Sequence, residues 1–155
     1  MSTNQFSEFG TVEKEGWSET KTAQSYAASL EAATAQSVPD LVGQVGAGPG
    51  KQALDLCCGP GVVTAGLHSA GAKTIGLDFS PAMLQLARQT VPEAEFVEGD
   101  AMRIPYKDAS FDAVTIGFGI LHVPDPIKVL EEAHRVLRLG GRLSFSVWHG
   151  PNIPT

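Results

Sequence analysis

The chain has 155 residues, with 11 basic and 17 acidic side chains for a formal charge of −6, and 43% of it is hydrophobic. That length fits one domain with a real core, and an acidic balance without any lysine- or arginine-rich block excludes the electrostatic footprint of a nucleic-acid binder. No stretch approaches the roughly 20 apolar residues of a membrane helix, and the terminus MSTNQFSEFG lacks the regions of a secretory signal, so a cytoplasmic protein without a membrane span is expected.

Residues 1–16 are polar and without periodicity, which predicts a flexible arm. From Trp17 to Ser37 the alanine-rich WSETKTAQSYAASLEAATAQS carries Trp17, Tyr26 and Leu30 among polar residues, predicting one or two short helices. Pro39 opens a further helix in PDLVGQVGA, and GAGPGK stops it. Apolar runs at 52–57, 73–78, 94–98, 111–117 and 142–148 then read as strands, separated by helical patterns at 61–70, 81–90 and 126–139. This alternation predicts an α/β parallel sheet with crossover helices. Ser80-Pro81 and Asp125-Pro126 each set a capping side chain before a proline at the first helical position, and Gly140-Gly141 is expected to close the last helix.

In an open α/β sheet, ligands bind at the carboxyl ends of the strands. There the chain reads ALDLCCGPGVVT, and Gly59 and Gly61 allow a tight turn and close approach of a ligand to the backbone amides. Glycines after a strand also serve merely to turn a chain. Asp78 ends the second strand about twenty residues later, where an acid can accept hydrogen bonds from two ribose hydroxyls, and Asp100 follows the third strand at the same edge. A dinucleotide loop would read G-x-G-x-x-G, yet Thr64 stands in place of the third glycine. A single nucleoside with a short cationic tail suits the acidic rim of Asp55, Asp78 and Asp100 better. Cys57 and Cys58, as sequence neighbours, cannot easily form an ordinary disulfide and lack the spacing of a zinc site; they read as small wall or core residues, and no metal is expected.

The linked motifs LDLCCGPG, GLDFSPAML, FVEGDAMRIPYKDASFDAV, GILHVPDP and EEAHRVLRLGGRLSFSVW, spanning about Gln52 to Trp148, resemble the class I S-adenosylmethionine-dependent methyltransferases, in particular the type 11 group of quinone and small-molecule methyltransferases. The resemblance implies a Rossmann-like sheet with helices on both faces, formed by residues 51–155, with helices of 17–50 covering the site. It implies that Asp55 and the backbone of Cys57, Cys58, Gly59 and Gly61 hold the methionine part of the cofactor, and that Asp78 binds the ribose. Phe79 and Met83 would lie beside the adenine, with Asp100 at its amino group and the Ala101 amide at a ring nitrogen. Phe118 would lie near the reactive methyl, and Tyr26 would cover the cofactor's carboxylate. The expected cofactor is S-adenosylmethionine, released as S-adenosylhomocysteine, and the expected partner is a small-molecule acceptor.

Two departures from the family pattern stand out. Cys57 occupies the place of the usual first glycine, and the chain ends at WHGPNIPT, where relatives add two more strands. The family order 3-2-1-4-5-7-6 therefore reduces to 3-2-1-4-5 here, leaving RLSFSVW as an edge that exposes Leu143, Phe145 and Val147. Two readings follow: a homodimer through strand 5, or a fragment of a longer enzyme. His122, just past the fourth strand, is placed to take a proton from the acceptor, against a competing role in packing or capping the turn before Pro124. Arg135 and Arg138 with Glu131 and Glu132 read as a solvated helix face. Besides methyl transfer, two other functions fit the sequence: a cofactor-binding module that does not methylate, and, with less support, a nicotinamide-dependent oxidoreductase.

Overall fold

The computed structural model describes residues 31–148 continuously, together with Thr11, Val12, Gly16, Lys21 and Ser25. Most of the expected arm and of the 17–37 helical stretch, with Tyr26, lies outside the described residues; Thr11, Val12 and Gly16, within the expected arm, are helical. Residues 31–35 are helical, and α1 (Val38–Val45) starts one residue before Pro39, which lies in its first turn, and ends on left-handed Gly46. Then follow β1 (Gln52–Leu56), α2 (Val62–Ser69), β2 (Lys73–Asp78), α3 (Pro81–Thr90), β3 (Glu95–Glu98), β4 (Phe111–Gly117), a 3-10 turn (Gly119–His122), α4 (Pro126–Val136) and β5 (Leu137–Ser146). All strand pairs are parallel and the order is β3-β2-β1-β4-β5, as the sequence predicts.

Strand alternation decides which helix covers which face. Leu54, Leu56, Ile75, Leu77, Val114 and Ile116 point to one face and form the main core with Val129, Ala133 and Val136 of α4. On the opposite face the small Ala53 and Ala113 admit α1 and α2 through Leu41, Val45, Val63 and Leu67, while α3 packs Leu84 and Ala87 against Phe96 and Cys58. Glycine sets these distances: a Cβ on Gly117 would stand 2.7 Å from Val63 Cγ2, and one on Gly66 would collide with Val38.

Capping follows the sequence at two starts. The Ser80 hydroxyl accepts from the Met83 amide at 3.2 Å and the Asp125 carboxylate from the Lys128 amide at 3.1 Å. At the other end of α4 the structure corrects the sequence reading. The helix stops at Val136, Leu137 is already extended and paired with Phe111, and the next pair is Ala113 with Arg142. Two residues of β4 thus span five of β5, and the Gly140-Gly141 pair makes that bulge rather than a helix cap. Gly140 has φ +80, and a Cβ on Gly141 would lie 2.9 Å from the Arg138 carbonyl. Leu137 is drawn out of the helix because ladder pairing with β4 satisfies its backbone, while the Arg138 guanidinium donates to Asp112 at 2.9 Å.

The edge reading of β5 also needs adjustment. Phe145 is 48% exposed and Val147 47%, but Leu143 packs on the main core. On the other face Arg142 and Ser144 donate to Gln44 of α1, each at 3.4 Å.

Glu132 and Arg135 are not a solvated charge pair. Arg135 donates to both carboxylate oxygens of Glu132 at 2.8 Å, to the Tyr106 carbonyl at 2.8 Å, to the Ile104 carbonyl at 3.0 Å and to Asp108 at 2.9 Å. Glu132 in turn accepts from the Ile104 amide at 2.8 Å. The two residues fasten the connection between β3 and β4 to α4. The Arg135 hydrogen bonds, joined by the Ile104 amide, hold the Glu132 carboxyl down at about 2 from an ordinary 4.5. Because the fold favours the ionised form, this stabilisation is complete above about pH 4.5 and is lost as pH falls toward 2. Glu132→Gln is expected to lower the melting temperature at pH 6 and to lessen the acid loss in that window, read from thermal melts across pH.

Candidate functional site

A cleft of about 450 Å³, counted to its open mouth, lies at the carboxyl ends of β1, β2 and β4. Its walls are Cys57 and Gly59 after β1; Asp78, Phe79 and Met83 at the end of β2 and the start of α3; and Gly117, Gly119, His122 and Val123 after β4.

The acid at the end of β2 organises this wall. Asp78 is 6% exposed, and its carboxylate accepts from the Gly59 amide at 2.8 Å and from the Ser80 amide at 2.9 Å. One side chain thereby fixes the glycine loop after β1 to the first turn of α3. Burial raises its pKa, and the amide hydrogen bonds oppose that rise.

Left-handed geometry explains the loop composition. Gly59 has φ +53 and Gly61 φ +89, and a Cβ on Gly61 would press on Ala87 at 3.3 Å. Cys57 shares the left-handed conformation, with φ +53, although it carries a side chain. Phe118, with φ +62, is a second such residue beside the cleft.

Several expected site residues lie behind the walls. Asp55 is 1% exposed on the face covered by α2, where its two oxygens accept from the Thr64 hydroxyl at 2.7 Å and the Thr115 hydroxyl at 2.9 Å. Asp55, expected with the loop backbone to hold the methionine part of the cofactor, thus lies behind the loop and does not line the cleft. Thr64, which speaks against a dinucleotide in the sequence, is present for this carboxylate. Cys58 turns away from the cleft into the α3 core, and Gly61 caps α2. Asp100 is exposed and accepts from the Met102 amide at 2.8 Å, and Ala101 is buried in the main core; neither lines the cleft. The Phe118 ring stacks on Trp148 with centroids 4.1 Å apart, so only its glycine neighbours reach the wall. His122 is half-buried on the wall, at the end of the 3-10 turn. Sequence reasoning overlooked Gly117, Gly119 and Val123. The signal was the spacing Gly-Phe-Gly after β4, in which the aromatic residue drew attention from the glycines beside it.

Among the described residues no cluster of three or more His, Cys, Asp or Glu side chains is placed to hold a metal ion, and no helix is long and apolar enough to cross a membrane. Burial pushes the thiols of Cys57 and Cys58 up, and at Cys57 the charges of Asp78, Asp55 and Asp100 add to it, in that order.

Burial also raises Asp55, to about 7, against the two threonine hydrogen bonds. Since its pKa in the fold lies above the ordinary 3.8, ionisation opposes folding: stability falls as pH rises from about 4 to 7 and levels off above. Asp55→Asn cannot ionise and keeps polar atoms for both threonines, so its stability relative to the wild type is expected to improve between pH 5 and pH 8 in parallel melts. A constant gap would show that Asp55 keeps one protonation state throughout.

A family model described as a methyltransferase domain matches residues 54–145. A demethylmenaquinone methyltransferase of Oceanobacillus iheyensis is 47% identical over 102 residues, covering 61% of this chain and 43% of the relative. The chain spans about half the length of the curated relatives it matches. Among solved structures, an S-adenosylmethionine-dependent methyltransferase from Mesorhizobium loti superposes with a TM-score of 0.65 at 29% identity, covering 72% of this chain and 53% of its own. The [4+2]-cyclase SpnF also gives 0.65, at 25% identity, covering 72% of this chain and 43% of its own. With the sheet order, the linked motifs and the matched residues in agreement, the chain belongs to the class I S-adenosylmethionine-dependent methyltransferases, within the methyltransferase-domain family.

Proposed function

We propose that the cleft binds S-adenosylmethionine and that the chain, alone or within a longer protein, transfers its methyl group to a quinone-type small molecule. The observation that carries this reading is the buried Asp78 carboxylate on the cleft wall, tied to the Gly59 amide. A buried acid at the end of β2 suits a ribose diol, and negative charge there suits a nearby sulfonium and ammonium. The apolar Phe79 and Met83 offer walls for a purine on the far side of Asp78. The chemistry of the donor set thus fits the cofactor, with Asp55 holding the first turn of α2 from behind the loop.

The bound sulfonium supplies an already activated methyl group for in-line displacement, so positioning provides most of the acceleration. The residues of the chain have two tasks. Asp78 and the loop it holds fix the nucleoside, and the acceptor enters beside His122 along the wall of Gly117 and Gly119. A ring nitrogen of His122 then takes the proton that the acceptor gives up. The quinone class comes from what the Oceanobacillus iheyensis relative is named for.

A second reading is a domain that binds the cofactor without methylating, favoured by the fold's likeness to a [4+2]-cyclase, because one fold hosts different chemistries. Calorimetric titration with S-adenosylmethionine and S-adenosylhomocysteine tests binding, with the mass in solution recorded alongside to test pairing of two β5 edges. Micromolar, saturable binding is expected in the wild type. Asp78→Ala should weaken it by about 1 to 3 kcal/mol through loss of hydrogen bonds to a charged group, and unchanged affinity would move the site elsewhere. Transfer of a labelled methyl group to demethylmenaquinone separates enzyme from binding module. In that assay His122→Ala is expected to lower the rate by about a hundredfold or more with cofactor affinity kept; an undiminished rate would reduce His122 to a wall residue.

A further inference from the structure

Cys57 combines three properties. It lines the cleft, it holds a left-handed φ of +53, and its side chain lies against a residue that must be glycine. A Cβ built on Gly119 would collide with the Cys57 Cβ, and would also stand 3.2 Å from its Sγ and 3.4 Å from its carbonyl oxygen. The bulk present in the loop after β1 is thus matched by its absence in the loop after β4. The pairing is local to the wall, since Cys58, the next residue, turns into the α3 core instead.

The sheet order gives this wall a direction. Crossing the cleft from β2 to β4, a ligand meets Asp78 and Phe79 first, then Cys57 and Gly59, and then Gly117, Gly119 and His122. If the ribose lies at Asp78, as the proposed function has it, the sulfur with its transferable group lies farther on, where Cys57 abuts Gly119. We propose that Cys57, braced against Gly119, is the specificity-determining residue that limits the size of the alkyl group carried on the bound sulfur. Glycine at this place would keep the backbone, because it adopts a φ of +53 without strain. It would also withdraw the Cβ and the thiol from the wall. The brace matters as much as the bulk: with Gly119 in contact on one side, the cysteine cannot swing away to make room for a larger group.

The test compares affinities for S-adenosylmethionine, its S-ethyl analogue S-adenosylethionine, and S-adenosylhomocysteine in the wild type, Cys57→Gly and Cys57→Ala. One methylene against a closed apolar wall changes recognition by about tenfold or more. The wild type is expected to prefer methyl over ethyl by about that factor, Cys57→Gly to bring the ratio close to one, and Cys57→Ala, which keeps the Cβ and the brace, to fall between them. If the methyl and homocysteine forms bind but the ethyl-to-methyl ratio is the same in all three proteins, this proposal is overturned while the cofactor site stands. If none of the three compounds binds the wild type, the cofactor reading itself fails, and the proposal with it.

Discussion

A carboxylate buried at the end of a central strand has to be matched, and the structure arranges three elements around that need. Asp55 lies on β1, Thr64 in the first turn of α2 and Thr115 on β4, and the two hydroxyls take up the two oxygens. An unpartnered carboxylate there would cost several kcal/mol, so the first turn of α2 is confined to one position above the sheet. The loop from Cys57 to Gly61 spans the distance between the fixed strand end and that turn, and its left-handed residues follow from the short span. Asp78 then ties the middle of the loop to the next helix start. The cleft wall is therefore a consequence of buried polar matching one layer below it.

The opposite side of the sheet shows the same economy with charged partners. Arg135 exhausts its donors on one carboxylate, a second acid and two carbonyls, and so replaces regular structure in the stretch between β3 and β4. This stretch follows directly on Asp100 and Ala101, so α4 fixes the connection from β3 to β4 from the face away from α2 and α3.

Much of this was legible in the sequence, for definite reasons. Strand and helix periods, the capping residues Ser80 and Asp125 and the order of the strands all follow from local chemistry or from linked motifs, and they agree with the structure. What could not be read depends on partners distant in sequence. Nothing near Asp55 announces Thr115, 60 positions later, so an inward-facing acid looks the same as a ligand-binding one. Glu132 and Arg135 show a helical charge spacing that suits solvent equally well, until Ile104 and Tyr106 arrive beside them. Gly140-Gly141 carries the signature of a helix end, and only the register of β5 against Phe111 and Ala113 reveals a bulge. In the cleft, positions named for their chemistry, such as Asp78, Met83 and His122, reach the wall. Gly117 and Gly119 act by lacking a side chain and give no chemical signal.

The 60-residue interval between Asp55 and Thr115 has a meaning for biosynthesis. Strands β1 and β2 can pair early, but the middle of the sheet is completed only when β4 inserts beside β1. At about 5 to 20 residues per second on the ribosome, the Asp55 carboxylate waits for roughly 3 to 12 s, hydrated and charged, before its second threonine is made. The acid that later lies beneath the cleft is thus fully matched only once the fourth strand is in place.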